Sequence, residues 1–230
     1  MKSVFALPAL LMIALPESAQ QAATAPLDRI AAQVTPAPTA SCELHLWPAA
    51  RIQAVSSGWG AQLGMIGALA DRAGHAGGDK QRRAHMITAL DPDAQTAALR
   101  ELDLAGLLGL PPSRIIAHPQ PLDARAAKTA VRHAPSTSSC YAELIVSGVL
   151  YQKTAVHGRA LKTGFLFRDF GPANEQPRRV VATGENALKL FPPKNADEVT
   201  ASNAELISVF QRNFIEAAAN FVVQRLMARR

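Results

Sequence analysis

The chain has 230 residues, 48% hydrophobic and 18% charged, with a net charge of +6 and a mean hydropathy near zero. These values exclude a disordered polymer and a multi-span membrane protein, and the length suits one domain with extensions. The basic residues occur in small scattered groups without interleaved aromatics, which argues against a nucleic-acid partner.

The N-terminus reads as an export signal. Lys2 carries the positive charge, an apolar run extends to Leu15, and Pro16 closes it ahead of small residues. The run falls short of the roughly 20 residues that span a bilayer. Cleavage is expected after Ala19. Ala23-Thr24-Ala25 is a second site, but it would leave Pro26 just past the cut. No cysteine follows the run directly, so lipidation is not expected. The reading is therefore a signal peptide over 1–19, a flexible Ala/Pro-rich tether over 20–41, and one globular domain over 42–230. The expected location is periplasmic or secreted, with no transmembrane segment left after cleavage.

Cys42 and Cys140 are the two cysteines, and an exported chain usually pairs an even set. Each stands at the entrance of a predicted strand. If those strands are parallel neighbours, both sulfurs fall at one end of the sheet within bridging distance. Two buried free thiols are the alternative.

Residues 43–47 form a short strand ended by Pro48, and Arg51–Val55 either extends it or turns away. Ser56–Gly78 carries seven glycines, which predicts a loop, or a loose helix between Ala61 and Arg72. Asp91-Pro92-Asp93 is a helix start, and the helix runs to about Leu102 with Leu99 and Leu102 inward. A second short helix covers Asp103–Leu108 and stops at Gly109. A strand around Ile115-Ile116 follows. Ala142–Gln152 and Leu161–Phe170 pair as an antiparallel hairpin. Arg178–Thr183 and Ala187–Phe191 are further strand candidates. Ser202-Asn203-Ala204-Glu205 fits a capping box, after which Ile207, Phe210, Phe214, Ala217 and Phe221 share one helical face suited to packing on a sheet. The expected fold class is α/β (α+β). It is a two-layer sandwich whose mixed sheet of about four to five strands is packed by the C-terminal amphipathic helix and a crossover helix, the two cysteine-bearing strands being joined by a right-handed crossover.

No chemical motif is complete. Ala54-Val55-Ser56-Ser57-Gly58 is one glycine short of G-x-S-x-G, so an exported serine hydrolase using Ser56 or Ser57 with a distant His118, His133 or His157 is only the alternative reading. The six histidines show no zinc-ligand spacing, two isolated cysteines cannot complete a tetrahedron, and no phosphate loop is present. No metal and no cofactor is expected. His45 reads as a satisfied sheet histidine. Glu101 and Asp103 read as a solvated helix end. Trp59, Leu63 and Ile66 are candidate contacts to a partner or a membrane interface. Arg125, Lys128 and Arg132 share one face if their stretch is helical, and are candidate anion contacts; Lys80, Arg82-Arg83 and Arg178-Arg179 are further basic groups. The expected role is a non-enzymatic binding or assembly-accessory domain, its partner another envelope protein or an anionic envelope component.

Overall fold

A computed structural model describes residues 42–58, 64–123, 125–171 and 177–227. Its six-stranded mixed sheet comprises β1 (Cys42–Trp47), β2 (Ile52–Ser56), β3 (Ser113–Ala117), β4 (Tyr141–Thr154), β5 (Gly158–Asp169) and β6 (Arg178–Ala187). The order is β3-β1-β4-β5-β6. β1 is parallel to both β3 and β4, whereas β4, β5 and β6 form an antiparallel meander. β2 lies beyond the end of β1 on the same side of the long strand β4, pairing with Val149–Lys153 where β1 pairs with Tyr141–Ile145. The 48–51 bend between them is held by buried Gln95, which accepts from Ala49 N–H (2.8 Å) and donates to the Leu90 carbonyl (2.8 Å).

The cysteines form the expected disulfide. β1 and β4 run side by side in parallel, the Cys42 and Cys140 Cα atoms are 4.6 Å apart, and the bridge closes 98 residues of chain.

One face of the sheet carries the main core. Leu44, Leu46, Leu144, Val146, Phe165 and Phe167 point to the same side by strand alternation and meet the helices. α4 (Val199–Met227) lays Phe210, Phe214, Ala217 and Phe221 against β5 and β6, the face read from the sequence. Its start differs from that reading. The helix begins at Val199, after a 3-10 turn over Ala196–Glu198 capped by Asn195, and Ser202 is buried within it. Glu205 has a different task from capping. Its carboxylate accepts the backbone N–H groups of Lys189, Leu190 and Phe191 at 2.7–2.8 Å. Those donors are thereby withdrawn from any ladder, which is why 188–191 is a loop and not the strand expected there.

α2 (Pro92–Arg100) and α3 (Leu104–Leu107) stand where the caps placed them, with Asp91 and Asp103 accepting from Ala94 and Gly106 N–H. In the glycine-rich segment the helical alternative holds from Gly64 and the loop reading does not, and the helix runs well past Arg72: α1 is unbroken over 26 residues, Gly64–Ala89. Each internal glycine costs about 1 kcal/mol of helix stability. Side-chain bonds to the backbone of β2 and of Gly58 just past it offset this. Asp71 accepts from Gly58 N–H (2.7 Å), Asp79 from Ser56 N–H (2.8 Å), and Arg83 donates to the Ile52 carbonyl (2.7 Å). Positions 71, 79 and 83 recur at multiples of four, so one polar face of the helix clasps a strand edge. Among its described side chains, the buried apolar ones are Met86 and Ala89 in the last turns.

No helix among the described residues is long and apolar enough to cross a membrane.

Candidate functional site

The second face of the sheet is half covered. Strand alternation turns Glu43, His45 and Trp47 of β1, Glu143 and Ile145 of β4, and Leu166 and Arg168 of β5 away from the helices. Over them lie residues 118–123 and 125–140, whose Leu122, Ala127 and Ala134 pack on Trp47, Ile145 and Leu166.

Polar groups pin this cover at both ends. At one end the His118 ring stacks on Trp47 (centroids 4.1 Å apart, planes 1° apart) and shares a 2.9 Å hydrogen bond with His45 Nδ1. At the other, Glu143 and Arg168 form a fully buried ion pair, Nη1 to Oε2 2.8 Å. Glu143 Oε1 accepts from His133 N–H (2.8 Å) and from the Tyr141 hydroxyl (2.7 Å), while Arg168 Nη2 donates to the Thr129 and Val131 carbonyls (both 2.8 Å). Glu43 ties in Ser136, His45 and Arg114.

This burial sets the protonation states. It pushes Glu143 above the usual carboxylate range, against the pull of its hydrogen bonds and of Arg168, and it raises the Tyr141 phenol. It lowers His45, lowers His118, which also feels His45, and takes His133, which also faces the Arg168 guanidinium, down to about 4. The three imidazoles are therefore neutral at physiological pH. Glu43 is held low chiefly by its bond from Ser136.

The uncovered remainder of this face is an open groove of about 920 Å³, within the range of small-molecule sites. Of its apolar lining residues Val55 and Val181 are exposed and Leu122 is half-buried, while Ile145 and Leu166 lie buried behind them. Val181 is 58% exposed, so part of this surface meets solvent. Around it stand Arg51 before β2, Arg72 and Arg83 on α1, Lys128 on the cover and Arg179 on β6; no carboxylate is among the described lining residues. None of the five cations has an ion-pair partner among the described residues. Asp71 and Asp79, the nearby acids of α1, are engaged elsewhere, Asp71 by the Gly58 N–H and Asp79 by Ser56 and Arg82.

The residues expected to contact an anion do not gather as expected. Arg125, Lys128 and Arg132 would share a face only on a continuous helix, and the described residues of this stretch hold no more than a short 3-10 turn, Ala126–Lys128. Arg125 is exposed beside it. Arg132 folds inward, its guanidinium 4.5 Å from the Tyr141 ring centre, and donates to the Ser136 and Ser138 carbonyls. Lys128 alone reaches the groove. Trp59 and Leu63 lie outside the described residues, and Ile66 is described only as a backbone position in the first turn of α1.

Ser56 ends β2, buried. Its hydroxyl donates to Asp79 Oδ1 (2.6 Å) and accepts from Arg82 Nη1 (3.2 Å). Ser57 donates its N–H to the Lys153 carbonyl. No described histidine hydrogen-bonds to either serine.

The sequence groups Arg83 and Arg179 with the other basic residues as surface that could together meet an anionic lipid or polysaccharide, with solvated surface favoured. It gave no sign of Arg51 or Arg72, nor of the His118, His133, Glu143 and Arg168 network, since these residues meet only through long-range strand pairing.

No family model matches the chain. No curated protein matches it. Solved structures similar to the chain include two hypothetical or uncharacterised proteins. A hypothetical protein from Chlamydia trachomatis is 9% identical, with a TM-score of 0.35 over 79% of this chain and 95% of its own. An uncharacterised protein is 11% identical, with a TM-score of 0.28 over 80% of this chain and 93% of its own.

Proposed function

We propose that the chain is an exported envelope domain, periplasmic or secreted, that binds a ligand or partner and catalyses no reaction. The observation that carries this is the groove. It is an open, half-apolar surface edged with cations, and among its described lining residues no nucleophile stands beside a base. The export part rests on the N-terminal pattern, with cleavage after Ala19, and is supported by the disulfide, since such bridges persist in oxidising compartments.

The serine-hydrolase alternative has less support. A buried serine whose hydroxyl proton is directed at an aspartate lacks both access and a general base. Expression of the full chain in a bacterial host, with N-terminal sequencing of the mature product and assay on p-nitrophenyl butyrate, tests the reading. A product beginning at Gln20 and no ester cleavage above the Ser56→Ala, Ser57→Ala double variant are expected. A retained Met1 would defeat export, and turnover abolished in the double variant would defeat the binding reading.

A further inference from the structure

We infer that the groove takes one molecule of an anionic amphiphile, an acyl-type chain bearing a carboxylate or phosphate head. This rests on the binding reading above and names its ligand class. The shape of the site and its charge point the same way. An exposed apolar strip of Val55 and Val181 with half-buried Leu122, backed by buried Ile145 and Leu166, offers nothing to a fully hydrated anion but suits an alkyl chain, whose burial is worth about 0.8 kcal/mol per methylene. The cations come from four separate parts of the chain: the turn before β2, α1, the cover and β6. An anionic head therefore meets positive charge wherever along the rim the chain emerges. Like charges so grouped repel one another unless an anion neutralises them, and no described acid does so. The volume of about 920 Å³ fits a single lipid-sized molecule and not a folded partner.

The rim is exposed, so its residues can be changed without touching the core: Arg72, Lys128 and Arg179 are all exposed, as is Val181 on the apolar strip. Arg83 is left alone because it supports the β2 edge.

The test uses the full mature chain with dodecanoate and dodecyl phosphate below their micellar concentrations, titrated calorimetrically. Dodecanol, inorganic phosphate, a hexaglutamate peptide and phosphatidylglycerol vesicles form the comparison arms. Saturable 1:1 binding of the two charged amphiphiles is expected. It should weaken about tenfold or more in Val181→Asp and about fivefold or more in the Lys128→Ala, Arg179→Ala double variant, and weaken as salt is raised. Val156→Asp, at an exposed position on the β4–β5 turn, should leave it unchanged. Equal binding of dodecanol would remove the anionic head from the proposal, and equal binding of inorganic phosphate or hexaglutamate would remove the chain. Binding to vesicles without uptake of the free amphiphiles would make the site a membrane-surface patch and overturn the inference. Any of these results leaves the non-catalytic reading intact, since that reading falls only to ester turnover.

Discussion

Gly184 of β6 lies directly beneath the backbone of Asn213 in α4, so close that a Cβ there would overlap the Asn213 carbonyl oxygen and Cα. Asn213 is itself buried, donating to the Leu161 carbonyl (2.8 Å) and to Thr163 Oγ1 (3.0 Å), and accepting from Asn186. Helix and sheet thus meet main chain to main chain at one point, fixed by a buried amide. Gly184→Ala must lift α4 from β6. Overpacking typically costs about 1–3 kcal/mol, and the obstacle here is backbone that cannot rotate aside, so the upper part of that range is expected. The urea midpoint should fall with the slope unchanged; an unaltered midpoint would show that α4 shifts freely.

The Glu143–Arg168 pair gives a second prediction. Arg168→Met leaves a fully buried carboxylate without its counter-ion, a change that costs about 3–5 kcal/mol. Combining it with Glu143→Gln removes the stranded charge and should restore part of the loss. A double-mutant cycle measures the coupling. Additive single effects would mean the two side chains stabilise the fold independently.

Acid should weaken the fold through its histidines. The folded protein holds His133 down at about 4, whereas an unfolded histidine titrates near about 6.5. Between those values the unfolded chain binds a proton that the folded chain refuses, so the stability is complete above about pH 6.5 and is lost as pH falls towards about 4. His45 and His118, also lowered, act in the same sense. Glu143, raised by burial, acts oppositely, its contribution present at low pH and fading as pH climbs through its folded value. Urea midpoints across pH 7.5 to 4.5 should therefore decline, and His133→Gln should flatten the decline. Parallel curves for the two proteins would assign the effect to other groups.

Reducing the disulfide releases a loop of 98 residues. In the chain-entropy treatment this costs about 4–5 kcal/mol. A Cys42→Ser, Cys140→Ser variant should show that loss in urea, and adding reductant to the variant should change nothing further. A loss under about 1 kcal/mol would mean the unfolded chain keeps β1 near β4 without the bridge.

The architecture was legible where local chemistry decides it. Asp91-Pro92 and Asp103 start helices, Phe210, Phe214 and Phe221 mark the buried face of α4, and the two cysteines gave the parallel β1–β4 neighbours. α1 escaped because its clasping face is Asp71, Asp79 and Arg83, and a helix that binds a strand edge by hydrogen bonds has little apolar periodicity to find. Glu205 was misread because a local capping pattern cannot show that distant N–H groups claim the carboxylate. The groove was legible only in fragments. Lys128, Arg83 and Arg179 were each seen as basic, but the face they share exists only once β2, the cover and β6 have been set around β4.

The sulfur bridge also changes what a protease can accomplish. β2, α1, α2, α3, β3 and most of the cover lie between the two half-cystines, inside a covalent ring. A single cut anywhere in that ring liberates no fragment. The nicked molecule migrates as one species on a gel without reductant and separates into two with it, so a single cut in this stretch leaves the domain's parts joined.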